Sequence, residues 1–170
     1  MTKSRDVSFE ITVNGRSQAA TIDPRSLLIE IIRDLGTTGA RVGCLTGDCG
    51  ACTVLLDDRL TKSCLVLAVS AAGANVTTIE GESSSTAARL QDAFIANKAF
   101  QCGYCTSGMI MTAIDLLRKN PQPDEAEIRH AISGNLCRCT GYDDIVGAIA
   151  DAAKKLSANP TTSRAERQEN

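Results

Sequence analysis

Apolar and polar positions alternate at the start of the chain, where Val7, Phe9, Ile11 and Val13 share one face and polar residues lie between them. A period of two marks a half-buried strand. Asn14-Gly15 carries the residues that a two-residue hairpin turn favours, so 18–22 returns as a second strand. The period then changes. Leu27, Leu28, Ile31, Ile32 and Leu35 form one stripe up to Gly36, with Asp23 as N-cap and Pro24 at the first helical position, which predicts a short helix packed on the hairpin. A Gly-rich loop at 39–50 follows, then a strand at 53–56, a turn at Asp57-Asp58 and a strand at 76–79. Residues 81–86 read as a polar, Ser-rich linker.

Beyond the linker the pattern is helical. Leu90 and Phe94 share a face within 87–97, and Met109, Ile110, Ala113, Ile114 and Leu117 make a stronger stripe over 106–119. Asn120-Pro121-Gln122-Pro123 stops that helix. Asp124 with Glu127 starts the next as a capping box carrying Ile128, Ala131 and Ile132, and Gly134 ends it. A last helix near 143–156 presents Ile145, Val146, Ile149 and Ala153. The order of elements is that of an α+β chain whose four later helices can close into a small bundle. Residues 1–82 and 83–157 are the expected domains, with 158–170 a polar, flexible tail lacking periodicity.

Composition narrows the partners. The 170 residues hold no Trp and few aromatics, so each half has a thin core that bound metal can reinforce. A net charge of −2 gives no footprint for nucleic acid. No apolar run approaches the roughly 20 residues that span a bilayer, and residues 1–6 lead into a strand pattern rather than a secretory segment. The expected location is the cytoplasm.

In that compartment the eight cysteines are ligands rather than disulfides. Disulfides also fit Cys137-Arg138-Cys139 poorly, because two neighbouring thiols would each need a different remote partner. The cysteines fall into two sets of four in chain order: Cys44, Cys49, Cys52 and Cys64, then Cys102, Cys105, Cys137 and Cys139. The first three reproduce the C-x4-C-x2-C run of plant-type [2Fe–2S] proteins, in a loop where Gly43, Gly47, Gly50 and Ala51 let backbone N–H groups approach sulfur. In the second set each close pair precedes an apolar helix, so two helix N-termini would face an anionic cluster. Four cysteines also suit structural zinc. A Rieske centre needs two histidines, and the chain has one, His130, which reads as a surface residue.

Together these motifs resemble the small iron–sulfur subunit of molybdenum hydroxylases, the family of xanthine dehydrogenase, aldehyde oxidoreductase and aerobic carbon monoxide dehydrogenase. The carriers are Val42-Gly43-Cys44-Leu45-Thr46-Gly47-Asp48-Cys49-Gly50-Ala51-Cys52-Thr53-Val54, Lys62-Ser63-Cys64, Thr78-Ile79-Glu80-Gly81, Gln101-Cys102-Gly103-Tyr104-Cys105-Thr106 and Gly134-Asn135-Leu136-Cys137-Arg138-Cys139-Thr140-Gly141-Tyr142. The resemblance implies an N-terminal β-grasp, plant-type ferredoxin-like domain and a C-terminal four-helix bundle-like domain, each with one [2Fe–2S] cluster. It further implies that a large partner subunit holds a molybdenum cofactor, whose electrons enter at the second cysteine set. They then pass to the first and leave through FAD on a medium subunit or another acceptor. By the same resemblance Gln101 and Cys139 lie against the pterin of that cofactor. Arg138 is then a surface or interface charge, and Tyr104 and Tyr142 are packing residues. Two departures from the family pattern are Ser107, where many relatives have Pro, and Glu82-Ser83, where a Leu is usual after Glu-Gly. Neither touches a ligand.

No residue of the chain is placed to activate water or substrate, so it would be an enzyme only as part of a larger one. A free two-cluster ferredoxin-type carrier is the alternative, with a zinc-stabilised interaction module and a redox sensor behind it. The substrate pocket lies on another chain, which leaves carbon monoxide, an aldehyde, a purine or another N-heteroaromatic open.

Overall fold

A computed structural model describes residues 6–158. The sequence-based tail at 158–170 and the segment before Asp6 lie almost wholly outside those residues. The opening hairpin forms as expected: β1 (Val7–Val13) pairs antiparallel with β2 (Arg16–Ile22), joined by Asn14 and Gly15, both at positive φ. Phe9, Ile11 and Val13 are buried on one face. Helix α1 (Leu28–Asp34) buries Leu28, Ile29, Ile31 and Ile32 against that face.

The start of α1 differs from the sequence reading. Asp23 and Pro24 belong to a turn closed by Ser26 N–H to the Asp23 carbonyl at 2.9 Å. Leu27 stays extended because it bridges to Leu67, while Leu28 N–H donates to the Val66 carbonyl at 2.8 Å. Glu30 reaches back to the Leu27 N–H at 2.7 Å and takes one orphan donor of the first turn. Pairing with a distant segment thus delays the helix.

Asp57 and Asp58, both at positive φ, turn β3 (Thr53–Leu56) into β4 (Arg59–Lys62). The pattern does not reveal β4, since Arg59-Leu60-Thr61-Lys62 offers a single apolar residue. Strand β5 (Asn75–Thr77) begins and ends earlier than its apolar run suggests, and Ile79 and Glu80 fall in the turn beyond it. The five strands form one mixed sheet in the order β2-β1-β5-β3-β4, with β5 parallel to β1 and antiparallel to β3.

The helices are α2 (Ser85–Ala96), α3 (Thr106–Lys119), α4 (Glu125–Ala131) and α5 (Asp143–Ala158). The linker is shorter than 81–86, because the Ser84 hydroxyl caps α2 by accepting from Ala87 N–H at 3.2 Å. Asp124 and Glu127 form the expected capping box of α4. Helix α2 packs on α3 and α5, and α4 packs on the same two. Two apolar cores result: one lies between α1 and the sheet, the other among α2–α5. Strand β3 faces both, with Val54 in the first and Leu55 in the second. The architecture is α+β and ferredoxin-like.

Candidate metal centres and the seam between them

The loop before β3 carries Cys44, Cys49 and Cys52 around to Cys64, which sits in the short turn after β4. Cys52 and Cys64 are buried, while Cys44 and Cys49 are partly covered. Backbone N–H groups point at these sulfurs. Thr46 and Cys49 each donate to Cys44 Sγ at 3.4 Å, and the Gly47 N–H is directed at Cys64. The Thr46 hydroxyl, then these N–H groups, pull the Cys44 thiol down to about 6, whereas burial and the Cys52 thiol push Cys64 up to about 11. Burial likewise raises Cys49, whose thiol faces Cys44.

The second set gathers from two segments. Cys102 and Cys105 lie in the turn before α3, and Cys137 and Cys139 in the loop after α4. Cys102 and Cys139 have their sulfurs 3.6 Å apart, and the pair is exposed. Cys105 interacts with Cys137 deeper in, where burial raises Cys105 to about 12. Although burial opposes it, the Thr140 hydroxyl, 3.1 Å from Cys137 Sγ, keeps Cys137 low. Helix α3 starts immediately after Cys105, as expected. Helix α5 starts at Asp143, four residues beyond Cys139. The Cys137 N–H donates at 2.9 Å to the hydroxyl of Tyr142, the residue just before that helix.

Both sets fit a two-iron unit. Such a unit takes two thiolates per iron, and two sulfurs on one tetrahedral ion with ~2.3 Å bonds sit about 3.8 Å apart. Cys102 and Cys139 meet that spacing. Among the described residues no three Cys, His, Asp or Glu side chains gather tightly enough for a single metal ion. A Cβ on Gly43 would stand 2.7 Å from Cys49 Sγ, so the loop wraps its sulfurs closely only with glycine there. The Thr106 and Ser107 hydroxyls, just after Cys105 in the chain, are buried without a hydrogen-bond partner. His130 is exposed and stands apart from both sets.

Several contacts hold the two sets in one frame. Leu136 N–H donates to the Cys49 carbonyl at 2.9 Å, joining a residue of one set to the neighbour of Cys137 in the other. Asn135 is buried beside it. Its amide donates to the Gly50 carbonyl at 3.2 Å, and its oxygen accepts from the Thr112 hydroxyl at 3.0 Å. A Cβ on Gly108 would be driven into the Gly50 carbonyl, so α3 approaches this loop only as glycine. Arg41 lies over the Tyr104 ring, 5.5 Å from its centroid, and donates to the Gly103 carbonyl at 2.8 Å. The Tyr104 hydroxyl donates to the Val42 carbonyl at 2.6 Å, so Tyr104 bridges the two cysteine loops rather than merely filling space. Gln101 donates to the Cys139 carbonyl at 3.0 Å, and both residues are exposed. Arg41 and Thr112 escaped the sequence reading; Asn135 lay inside a motif that marks family but not role.

A ferredoxin-like sheet and a helical unit, each with four gathered cysteines, define a two-centre electron-transfer protein. Comparison with known proteins agrees. Residues 11–70 match the 2Fe-2S iron-sulfur cluster binding domain, and residues 78–150 match a second [2Fe-2S] binding domain. The chain is 45% identical over 151 residues to the nicotine 6-hydroxylase small subunit of Paenarthrobacter nicotinovorans, covering 88% of this chain and 92% of that one. It is 40% identical over 157 residues to the xanthine dehydrogenase iron-sulfur-binding subunit of Escherichia coli, covering 91% and 99%. Among solved structures, quinoline 2-oxidoreductase from Pseudomonas putida 86 superposes with a TM-score of 0.83 at 41% identity, covering 92% of this chain and 99% of that one. The aldehyde oxidoreductase of Desulfovibrio desulfuricans gives 0.81 at 37% identity, covering 92% of this chain and 18% of that longer one. The chain belongs to the small iron–sulfur subunits of the molybdenum hydroxylases. Its role is electron transfer, with two [2Fe–2S] cluster-binding domains.

Proposed function

We propose that Cys44, Cys49, Cys52 and Cys64 ligate one cluster, and that Cys102, Cys105, Cys137 and Cys139 ligate the other. Gln101 and Cys139 contact the molybdopterin of a large partner subunit, where electrons come in. They leave from the first set toward FAD on a medium subunit or another acceptor. When bound, each cluster supplies a one-electron relay. The chain's own residues fix the spacing of the sulfurs, aim N–H groups at them and exclude water from Cys52 and Cys64.

The observation that carries this reading is the Leu136 N–H to Cys49 carbonyl bond. It ties the inner cysteine set to an outer set that opens to the surface beside Gln101. Domains at 1–82 and 83–157, the second a four-helix bundle-like unit, with a tail at 158–170, complete the proposal. A cytoplasmic location accords with eight unpaired thiols, and no helix among the described residues is long and apolar enough to cross a membrane. The relatives' names cover nicotine, xanthine, quinoline and aldehydes. A shared electron-transfer part can serve all of these, so the large subunit selects the substrate.

Native purification tests the proposal. The expected result is a complex containing molybdenum, iron and a larger chain, with two distinct spin-resonance signals on reduction. A lone 17.9 kDa carrier without molybdenum would refute it.

A further inference from the structure

Lys62 is left without a role by the reading above, although it stands where the two cysteine sets meet. It ends β4 two residues before Cys64, and its ammonium donates to the Gly47 carbonyl at 2.5 Å, between Cys44 and Cys49. On its other side a Cβ on Gly134 would lie 3.3 Å from Lys62 Nζ, three residues ahead of Cys137. A cleft of about 150 Å³ opens here, lined from both units by Thr53, Lys62, Thr112 and Asn135.

None of the ion pairs among the described residues includes Lys62, whereas Arg118, Lys119 and Arg129 each meet a carboxylate. The side chain is half-buried, so solvent and salt screen it less than a surface lysine. Reduction of a site adds one negative charge, and a fixed cation nearby favours that state.

We propose that Lys62 is a redox-tuning cation: its ammonium, held on the Gly47 carbonyl at the seam, raises the reduction potential of the Cys44, Cys49, Cys52 and Cys64 site. This rests on the ligand assignment proposed above. The balance is one electron, which leaves the outer site as that site is oxidised and reduces the inner one; no bond forms and no proton moves. By stabilising the added charge at the inner site, Lys62 draws the electron onward.

Three variants of the intact complex separate charge from hydrogen bonding. Lys62→Gln keeps a donor for Gly47 without the charge, Lys62→Met keeps the aliphatic stem alone, and Lys62→Arg keeps the charge. Redox titration followed by spin resonance reads the midpoint of each signal, with Cys44→Ser and Cys102→Ser identifying which signal belongs to which site. The inner-site midpoint is expected to fall in Lys62→Gln and Lys62→Met, to fall more than that of the outer site, and to stay near wild type in Lys62→Arg. Should one neutral variant fail to load its clusters, the other gives the reading. An unchanged inner midpoint with both signals intact would overturn the inference, as would an equal fall in Lys62→Arg. A wild-type complex lacking two reducible centres would instead overturn the ligand assignment, and the inference with it.

Discussion

At the residue scale, small groups at the seam carry constraints that their size conceals. Gly108 meets the Gly50 carbonyl so closely that any side chain must displace backbone rather than a flexible tip. Gly108→Ala is therefore expected to cost about 1–3 kcal/mol in denaturant unfolding. Asn135→Ala strips a partner from the Thr112 hydroxyl and the Gly50 carbonyl, both buried, and is expected to cost about the same. Glu80 makes a pH-dependent tie. Burial alone would raise its carboxyl, but the Thr78 hydroxyl at 2.5 Å and the Gly39 N–H hold it below its ordinary value of 4.5. A depressed folded-state value contributes stability that is present above 4.5 and is lost as pH falls through the lower, folded value. Glu80→Gln should accordingly flatten the acid side of the melting-temperature profile while changing its slope little near neutrality.

At the element scale, agreement with the sequence follows locality. Helix α4 is set by Asp124 and Glu127, three residues apart, so its start is legible from the chain alone. Asp124→Ala should lower stability by about 1 kcal/mol, read as a shift in melting temperature. Helix α3 was equally legible, because its apolar stripe and the Pro121-Gln122-Pro123 stop are contiguous. The start of α1 and the existence of β4 were not. Leu27 is held extended by Leu67, forty residues away in the chain, and β4 is a strand because it pairs with β3, not because of its own polarity. Propensity yields to pairing at both places.

At the scale of the whole molecule, the chain works as one frame around two centres. Arg41 and Tyr104 close the seam from one side with a ring contact and hydrogen bonds to Gly103 and Val42. Tyr104→Leu and Arg41→Met, alone and together, form a double-mutant cycle in thermal unfolding. A coupling of about 0.5–1 kcal/mol is expected for a cation held over an exposed ring. Iron removal should lower the melting temperature well beyond any of these substitutions, because binding energy at both sites is also folding energy.

Residue spacing by itself determined the number of centres and pointed to iron–sulfur chemistry, since ligand chemistry depends on residue type and on short intervals such as Cys44 to Cys49 to Cys52; the family came from the resemblance of the whole motifs. Spacing also located the local caps and stripes. Tertiary structure decided which cysteines face which: Cys102 meets Cys139 and Cys105 meets Cys137, across a gap that α3 and α4 fill. It also decided that the Tyr142 hydroxyl accepts from the Cys137 N–H, and that Asn135, Arg41 and Lys62 converge on one seam. Those outcomes depend on distances between residues remote in the chain, which no local pattern encodes.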